Sequence, residues 1–396
     1  MTGGTLPAAS RAGPAAPLVL HVFPTFTVGG AQVRYAALAN RWGPRWRHAV
    51  VSLDGRFDCA ERLRVPADQI AFPTVPGERF PQRLLRIRRL LRRLRPDVLV
   101  TSNWGSIEWA IANLAPPRLH HLHTEDGFGP DEAARQKWRR VLTRRLALRF
   151  GTVALPSRLL LQGARTIWRL PEARLRFVPN GLDLRRFRPD GPRAALAVPG
   201  QGPVIGTVAA LRPEKNLARL IQAAALLRRD EVALRLLVIG DGGERSRLEA
   251  LAAELGLGGA SLFAGHVPDP AAAYRAMDVF ALSSDTEQMP FSVLEAMASG
   301  LPVASTDVGD LRAMLPRESL PHVAAPEAAA LAAALRPLLA DAALRARLGA
   351  ANRAKAERDY DEETMFAAYA ALIDGARTPQ PRAEARQSPR PRHQEP

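Results

Sequence analysis

The sequence predicts two consecutive doubly wound α/β domains, each a parallel sheet with helices on both faces, and three observations carry that expectation. A chain of 396 residues with 47% apolar content is longer than one hydrophobic core usually supports. Short β-rich runs alternate with helical patterns, which is how strand-helix-strand units read. Between Arg188 and Pro203 the alternation is interrupted by Pro189, Gly191, Pro192, Pro199, Gly200 and Gly202, punctuation that suits a linker between lobes.

In the first half the strand candidates are Leu18 to Pro24, His48 to Leu53, Val98 to Ser102, Leu119 to Thr124 and Thr152 to Pro156. The pattern restarts with Val204 to Ala210, Leu234 to Gly240, Ser261 to Ala264, Val279 to Ser283 and Val303 to Ser305. The expected organisation is an N-terminal domain over 17–187, a linker over 188–202 and a C-terminal domain over 203–358, followed by a helix over 359–376 packing back on the N-terminal domain. Residues 1–16 and 377–396 read as disordered tails. The first lacks a basic segment leading into a continuous apolar one, and the second has too little apolar content to pack.

The formal charge of +16 comes mostly from arginine and favours anionic partners. Basic and aromatic residues do not interleave as on single-strand platforms, so no specific nucleic acid is expected. Much of the charge lies in Arg83 to Arg95 and Arg135 to Arg149. In the first stretch, apolar residues at 84, 87, 91 and 94, with a second row at 85 and 90, give one apolar and one cationic face. That reads first as a helix covering its sheet, because Pro96-Asp97 and a strand follow directly. The arginine faces would also suit an anionic membrane surface, at about 1 kcal/mol per cation near the headgroups. The single thiol, Cys59, excludes an intramolecular disulfide framework and clustered thiolates for structural zinc. The longest uncharged run, Ala194 to Leu211, is broken by prolines and glycines before it could span a bilayer. A cytoplasmic protein, peripheral on the cytoplasmic face of the membrane if it docks there, is the expectation.

The most informative stretch runs from Ser283 to Pro302, Ser-Ser-Asp-Thr-Glu-Gln-Met-Pro-Phe-Ser-Val-Leu-Glu-Ala-Met-Ala-Ser-Gly-Leu-Pro. A strand ends at Ser283 or Ser284, a loop carries Glu287 and Met289, Pro290 suits the first helical position, and Gly300 with Pro302 closes the helix. Backbone N–H groups at such a helix start, beyond the carboxyl end of a parallel strand, attract phosphate. Glu287 faces the ligand from the loop, and Glu295 sits more than a turn inside the helix.

Glu287 and Glu295 match the E-x(7)-E signature of the retaining glycosyl transferases group 1 family, often called family 4. Other segments resemble that family in order. Phe177-Val-Pro-Asn-Gly-Leu-Asp183 is similar to its segment ending the N-terminal domain, with Phe187 and Pro189 following. Gly206 to Asn216 resembles the strand and loop whose arginine and lysine bind the donor diphosphate, which puts those roles on Arg212 and Lys215. Val238-Ile-Gly-Asp-Gly242 resembles the next strand and turn, and Gly29-Gly30-Ala-Gln32 the glycine loop where backbone nears the donor.

The resemblance implies a GT-B fold, two Rossmann-like domains facing across a cleft, with acceptor on the N-terminal side and nucleotide-sugar donor on the C-terminal side. It implies no cofactor and no bound divalent metal, and no Asp-x-Asp motif marks a strand end. It places Glu287 against the donor sugar, Glu295 on the ribose, and Met289 and Pro290 beside the donor. Uridine is the first expectation for the base and guanosine the second, with a glycan or lipid-linked acceptor. In His120-His-Leu-His-Thr-Glu-Asp-Gly127, His123 and Glu125 align with a His-x-Glu-His-Gly pattern, while Asp126 stands where a second histidine is expected. His123 and Asp126 are therefore the candidates for orienting or deprotonating the acceptor hydroxyl. A non-catalytic nucleotide-sugar binder or scaffold and a sugar-nucleotide epimerase on the same fold remain alternatives.

Overall fold

A computed structural model of the chain describes residues 16–74, 80, 82–128, 132, 136–267 and 269–375. Both expected tails, Ala16 apart, lie outside the described residues, as do Arg135 and Ala376. Two sheets form, and every pairing in them is parallel. The first contains β1 (Leu18–Phe23), β2 (Arg47–Ser52), β3 (Ile70–Ala71), β4 (Val98–Ser102), β5 (His120–Thr124), β6 (Thr152–Leu155) and β7 (Leu175–Phe177), in the order β3-β2-β1-β4-β5-β6-β7. The second contains β8 (Val204–Val208), β9 (Arg235–Ile239), β10 (Ser261–Gly265), β11 (Val279–Leu282), β12 (Val303–Thr306) and β13 (Val323–Ala324), in the order β10-β9-β8-β11-β12-β13. The edge strands β3, β7 and β13 are too short to show a period of two, which is why sequence reading passed over them.

The helices are α1 (Gly30–Trp42), α2 (Gln82–Leu94), α3 (Ile107–Ala112), α4 (Trp138–Ala147), α5 (Arg158–Thr166), α6 (Leu217–Arg229), α7 (Arg245–Glu254), α8 (Pro270–Tyr274), α9 (Phe291–Ala298), α10 (Leu311–Met314), α11 (Ala328–Ala340), α12 (Ala342–Asp359) and α13 (Glu362–Asp374). In α6 the sequence Leu-Ala-Arg-Leu-Ile-Gln-Ala-Ala-Ala-Leu-Leu buries Leu217, Leu220, Ile221, Ala224 and Leu227, one face at helical spacing, and Asn216 caps it by accepting from the Arg219 amide. In α2, Ile87 and Leu91 enter the core, but Leu85, expected in a second apolar row, is exposed. Leu90, the other member of that row, is partly buried and packs against the same core.

Both sheets reverse strand order beside their first strand, between β1 and β4 and between β8 and β11. Crevices for ligands open beyond the carboxyl ends of strands at such points. One device recurs at the opposite ends of these strands. Asp97, just before β4, accepts the Leu18 amide at 2.7 Å, and Asp278, just before β11, accepts the Val204 amide at 2.7 Å. Helix α13 crosses from the second lobe to the first and buries Met365, Phe366, Tyr369 and Ile373 against Val19, Val98, Val100 and Leu122.

Candidate active site

In the C-terminal lobe the site grows from two strand ends. After β8 the chain passes through extended Arg212 and a tight turn over Pro213–Lys215 that sends Lys215 towards the loop after β11. There Lys215 Nζ contacts Glu287 Oε1 at 2.6 Å, and the Ser284 hydroxyl donates to the same oxygen at 2.7 Å. Arg219 binds the two loops together, donating to the Ser283 carbonyl at 2.7 Å and to Asp285 at 2.6 Å. Strand β11 stops at Leu282, before the expected end. Pro290 is the residue capping α9 and not its first turn, because its extended ψ of 126° turns the chain before Phe291 starts the helix.

Gly30, Asp126, Lys215, Glu287, Met289 and Pro290 line one inter-lobe cleft of about 450 Å³. Gly30 opens α1 against Phe291 of the opposite lobe, where a Cβ would stand 3.2 Å from the ring, so the lobes meet through bare backbone. Gly29 precedes it as the extended capping residue, its own added Cβ facing Gln32.

Glu295 lies in α9, where Tyr274 donates to it at 2.7 Å. Burial pushes its carboxyl up to about 7, against the Tyr274 hydrogen bond and the nearby Arg186 charge. With Val208, Ile239, Gly240, Asp241 and His266 it lines an adjoining cavity of about 530 Å³ at the ends of β8 and β9. Gly240 turns at φ 127°, where a Cβ would run into the Ala209 carbonyl. Arg212 lines neither cavity. Its side chain is 68% exposed, with Glu214 3.9 Å away, because the turn that brings Lys215 in leaves Arg212 outside.

The N-terminal lobe treats its candidates differently. Asp126 reaches the cleft but is already matched, since Arg34 of α1 grips both carboxylate oxygens at 2.5 and 2.9 Å and also donates to Asn180 at 2.8 Å. Burial alone would lower the Arg34 pKa, but the Asp126 charge, Tyr369 and the Asp126 hydrogen bond together outweigh it, so the guanidinium keeps its proton. His123 is fully buried and does not line the cleft. The Thr101 hydroxyl lies 2.8 Å from both His123 Nδ1 and His121 Nε2, and burial takes the His121 imidazole down to about 3. His123 Nε2 is 3.5 Å from Glu125, which pairs at 3.2 Å with Arg144, itself paired with Glu132. The structure thus brings six of the ten sequence candidates into one cleft, sets Glu295 in the next cavity and Gly29 beside the cleft, and leaves Arg212 and His123 away from it.

Arg34 and Arg144 were missed. An arginine within an amphipathic pattern reads as surface charge, and its partners stand 92 and 19 residues away. Asn180 was visible inside Pro-Asn-Gly, and its side chain donates to the Met289 carbonyl across the lobes at 3.1 Å.

Residues 28–186 match the family model Glycosyltransferase Family 4, and residues 192–355 match Glycosyl transferases group 1. The chain is 30% identical over 285 residues to a GDP-mannose-dependent alpha-mannosyltransferase of Mycobacterium tuberculosis, a match covering 65% of this chain and 69% of that one. The chain belongs to the group 1 glycosyltransferases. As a member of that family it is a glycosyltransferase acting on nucleotide sugars. It is also 31% identical over 240 residues to a D-inositol 3-phosphate glycosyltransferase of Nocardia farcinica, covering 54% of this chain and about half, 52%, of that relative. Among solved structures, a sucrose-phosphate synthase from Thermosynechococcus elongatus superposes with a TM-score of 0.76 at 21% identity, covering 91% of this chain and 99% of that one. Anabaena HepE in complex with UDP also gives 0.76, at 18% identity, covering 91% and 100%. This group 1 glycosyltransferase therefore has the two-lobed GT-B fold. Among its described residues no helix is long and apolar enough to cross a membrane.

Proposed function

We propose that the chain is a retaining, metal-independent glycosyltransferase that moves a sugar from a UDP- or GDP-sugar to a glycan or lipid-linked acceptor in cell-surface or exopolysaccharide synthesis. The observation that carries this reading is the meeting of Lys215 and Glu287 on the cleft wall, across from Gly30. A single ammonium beside a single carboxylate can exchange partners. A diphosphate takes Lys215 and the first amides of α9, which have no acceptor inside the helix, and the freed Glu287 accepts from donor-sugar hydroxyls. Glu295 holds the ribose, and Met289 and Pro290 shape the wall. In the transfer the bond from the anomeric carbon to the diphosphate breaks, the acceptor oxygen bonds to that carbon on the same face, and the acceptor proton passes to the departing phosphate oxygen. Charge growing on that phosphate is what Lys215 neutralises.

Asp126 is held by Arg34 and serves in this reading to position α1, not to take the proton. That same engagement favours the second reading, a nucleotide-sugar binder without turnover. A thermal-shift panel of nucleoside diphosphates and nucleotide sugars, followed by transfer assays on the hits, separates the two. Uridine or guanosine diphosphate is expected to stabilise the wild type, and stabilisation without transfer to any acceptor supports the binder. Stabilisation unchanged by both Lys215→Ala and Glu295→Ala refutes the site.

A further inference from the structure

Helix α4 packs Val141 and Ala147 against the core but also turns one charged side chain inward and three large apolar ones outward. It buries Arg144, whose guanidinium lies 5.0–5.2 Å from the ring centres of Trp104, Phe128 and Trp168, while Trp138, Leu142 and Leu146 stand exposed at four-residue spacing. A helix of a doubly wound domain ordinarily does the reverse. Leu159 and Ile167, at either end of α5, are exposed as well. Seven of the twelve large apolar side chains exposed among the described residues fall between Trp138 and Phe177, and four of them, Trp138, Leu142, Leu159 and Ile167, line one groove. Such a concentration marks a binding surface.

The groove runs between the two helices, has a volume of about 960 Å³ and reaches residues of the opposite lobe. Trp138, Leu142, Leu159 and Ile167 line it with apolar surface, Glu132 lies beside them within its pairing to Arg140 and Arg144, and Asp285, Glu287 and Gln288 of the opposite lobe complete the lining. The groove is thus continuous with the carboxylate assigned to the donor sugar. Gly163 sits in it, where an added Cβ would meet nothing within 4 Å. Arg145, exposed and without an ion-pair partner among the described residues, stands at the groove and offers an anion a bidentate fork.

We propose that this groove takes the hydrocarbon chain of an anionic, lipid-linked acceptor, with Arg145 on its phosphate and its sugar-bearing end directed towards Glu287. The proposal rests on the transferase reading and adds the chemical class of the acceptor. A groove that carries four large exposed apolar side chains on one lobe, the donor carboxylate on the other and, beside them, a guanidinium unpaired among the described residues fits an amphiphile of that shape; a soluble glycan would leave the apolar side chains wet.

The test uses the full chain and dodecyl phosphate below its micelle concentration, with inorganic phosphate and dodecyl maltoside as comparisons. Saturable binding is followed by tryptophan emission, assigned with Trp138→Phe, and by calorimetry. Dodecyl phosphate is expected to blue-shift the Trp138 signal and bind at least tenfold tighter than either comparison. Gly163→Leu, which fills open space in a helix, and the surface pair Leu142→Ser with Ile167→Ser should each weaken it tenfold or more, and Arg145→Gln severalfold. Nucleoside diphosphate binding is measured on the same samples. Intact nucleotide binding with no saturable alkyl phosphate binding, or with binding indifferent to Gly163→Leu, overturns the groove and spares the transferase. Loss of nucleotide binding in the wild type sinks the transferase reading itself. Sedimentation showing dimers that the Leu142→Ser, Ile167→Ser variant dissolves, without alkyl phosphate binding, assigns the face to a second copy and overturns the proposal as well.

Discussion

Asp97 and Asp278 tie the first strand of each sheet in the same way, yet the ligand ends of those sheets hold their charges differently. In the C-terminal lobe Lys215 meets Glu287 through one ammonium-oxygen contact, with the lysine side chain a quarter exposed. In the N-terminal lobe Arg34 grips Asp126 with two parallel bonds and is almost wholly buried. A point-charge contact at a cleft surface can be surrendered to a ligand at small cost, and a bidentate buried pair cannot. In the proposed function, one lobe therefore keeps charges for a substrate to re-partner, and the other keeps charges that hold the wall in place.

The largest test of that division is Glu287→Gln. It should lower the transfer rate about a hundredfold while nucleoside diphosphate affinity stays within about threefold, since the carboxylate is assigned to the sugar and not to the diphosphate. Equal loss in both would merge the two roles. Next comes Arg34→Met, which strands Asp126 in a half-closed site and should cost about 3 kcal/mol in urea unfolding. Adding Asp126→Asn should restore part of that loss. Lys215→Met should cost clearly less, because Glu287 keeps its Ser284 hydrogen bond and some access to water.

The same division decides what was legible beforehand. Ten strands and the two-lobed plan follow from alternation and punctuation along the chain, and Glu287 with Glu295 follows from spacing across one loop and one helix. All of these are local. The Arg34 to Asp126 pair is not, for nothing near residue 34 or 126 announces a partner 92 positions off. The side of the sheet that His123 takes was illegible for another reason. His121 and His123 share one face of β5 and Leu122 and Thr124 the other, and both faces are buried, so polarity does not say which looks onto the cleft. The outward leucines of α4 were hidden because Arg144 was counted with its neighbours as surface charge.

Smaller effects sharpen the C-terminal side. Lys215→Ala should weaken a nucleoside diphosphate at least tenfold, about 1.4 kcal/mol, whereas Arg212→Ala, which removes an exposed group, should change it less than about threefold. Titration calorimetry of both variants checks the order, and a reversed order would mean that the loop closes over the diphosphate. Glu295 adds a pH dependence. Burial holds its carboxyl at about 7 against the ordinary 4.5, so the folded chain binds that proton more tightly than the unfolded one. The resulting stability is complete below the ordinary value and is lost as pH rises through about 7. Glu295→Gln should accordingly flatten the fall in Tm between pH 5 and pH 8, and an unchanged slope would remove Glu295 as its source.

The smallest expected effect falls on the residue that family likeness ranked among the catalytic ones. His123 is sealed behind the cleft between Thr101 and Glu125, with no route for its ring to an acceptor hydroxyl in this arrangement. His123→Gln keeps a hydrogen-bonding group for Thr101 at similar volume. Its transfer rate per folded molecule should therefore stay within about threefold of wild type, with an unaltered pH profile, while Tm drops by a few degrees. A hundredfold loss with KM and Tm intact would show that the strand end rearranges when donor and acceptor are both bound, and would return the histidine to the chemistry.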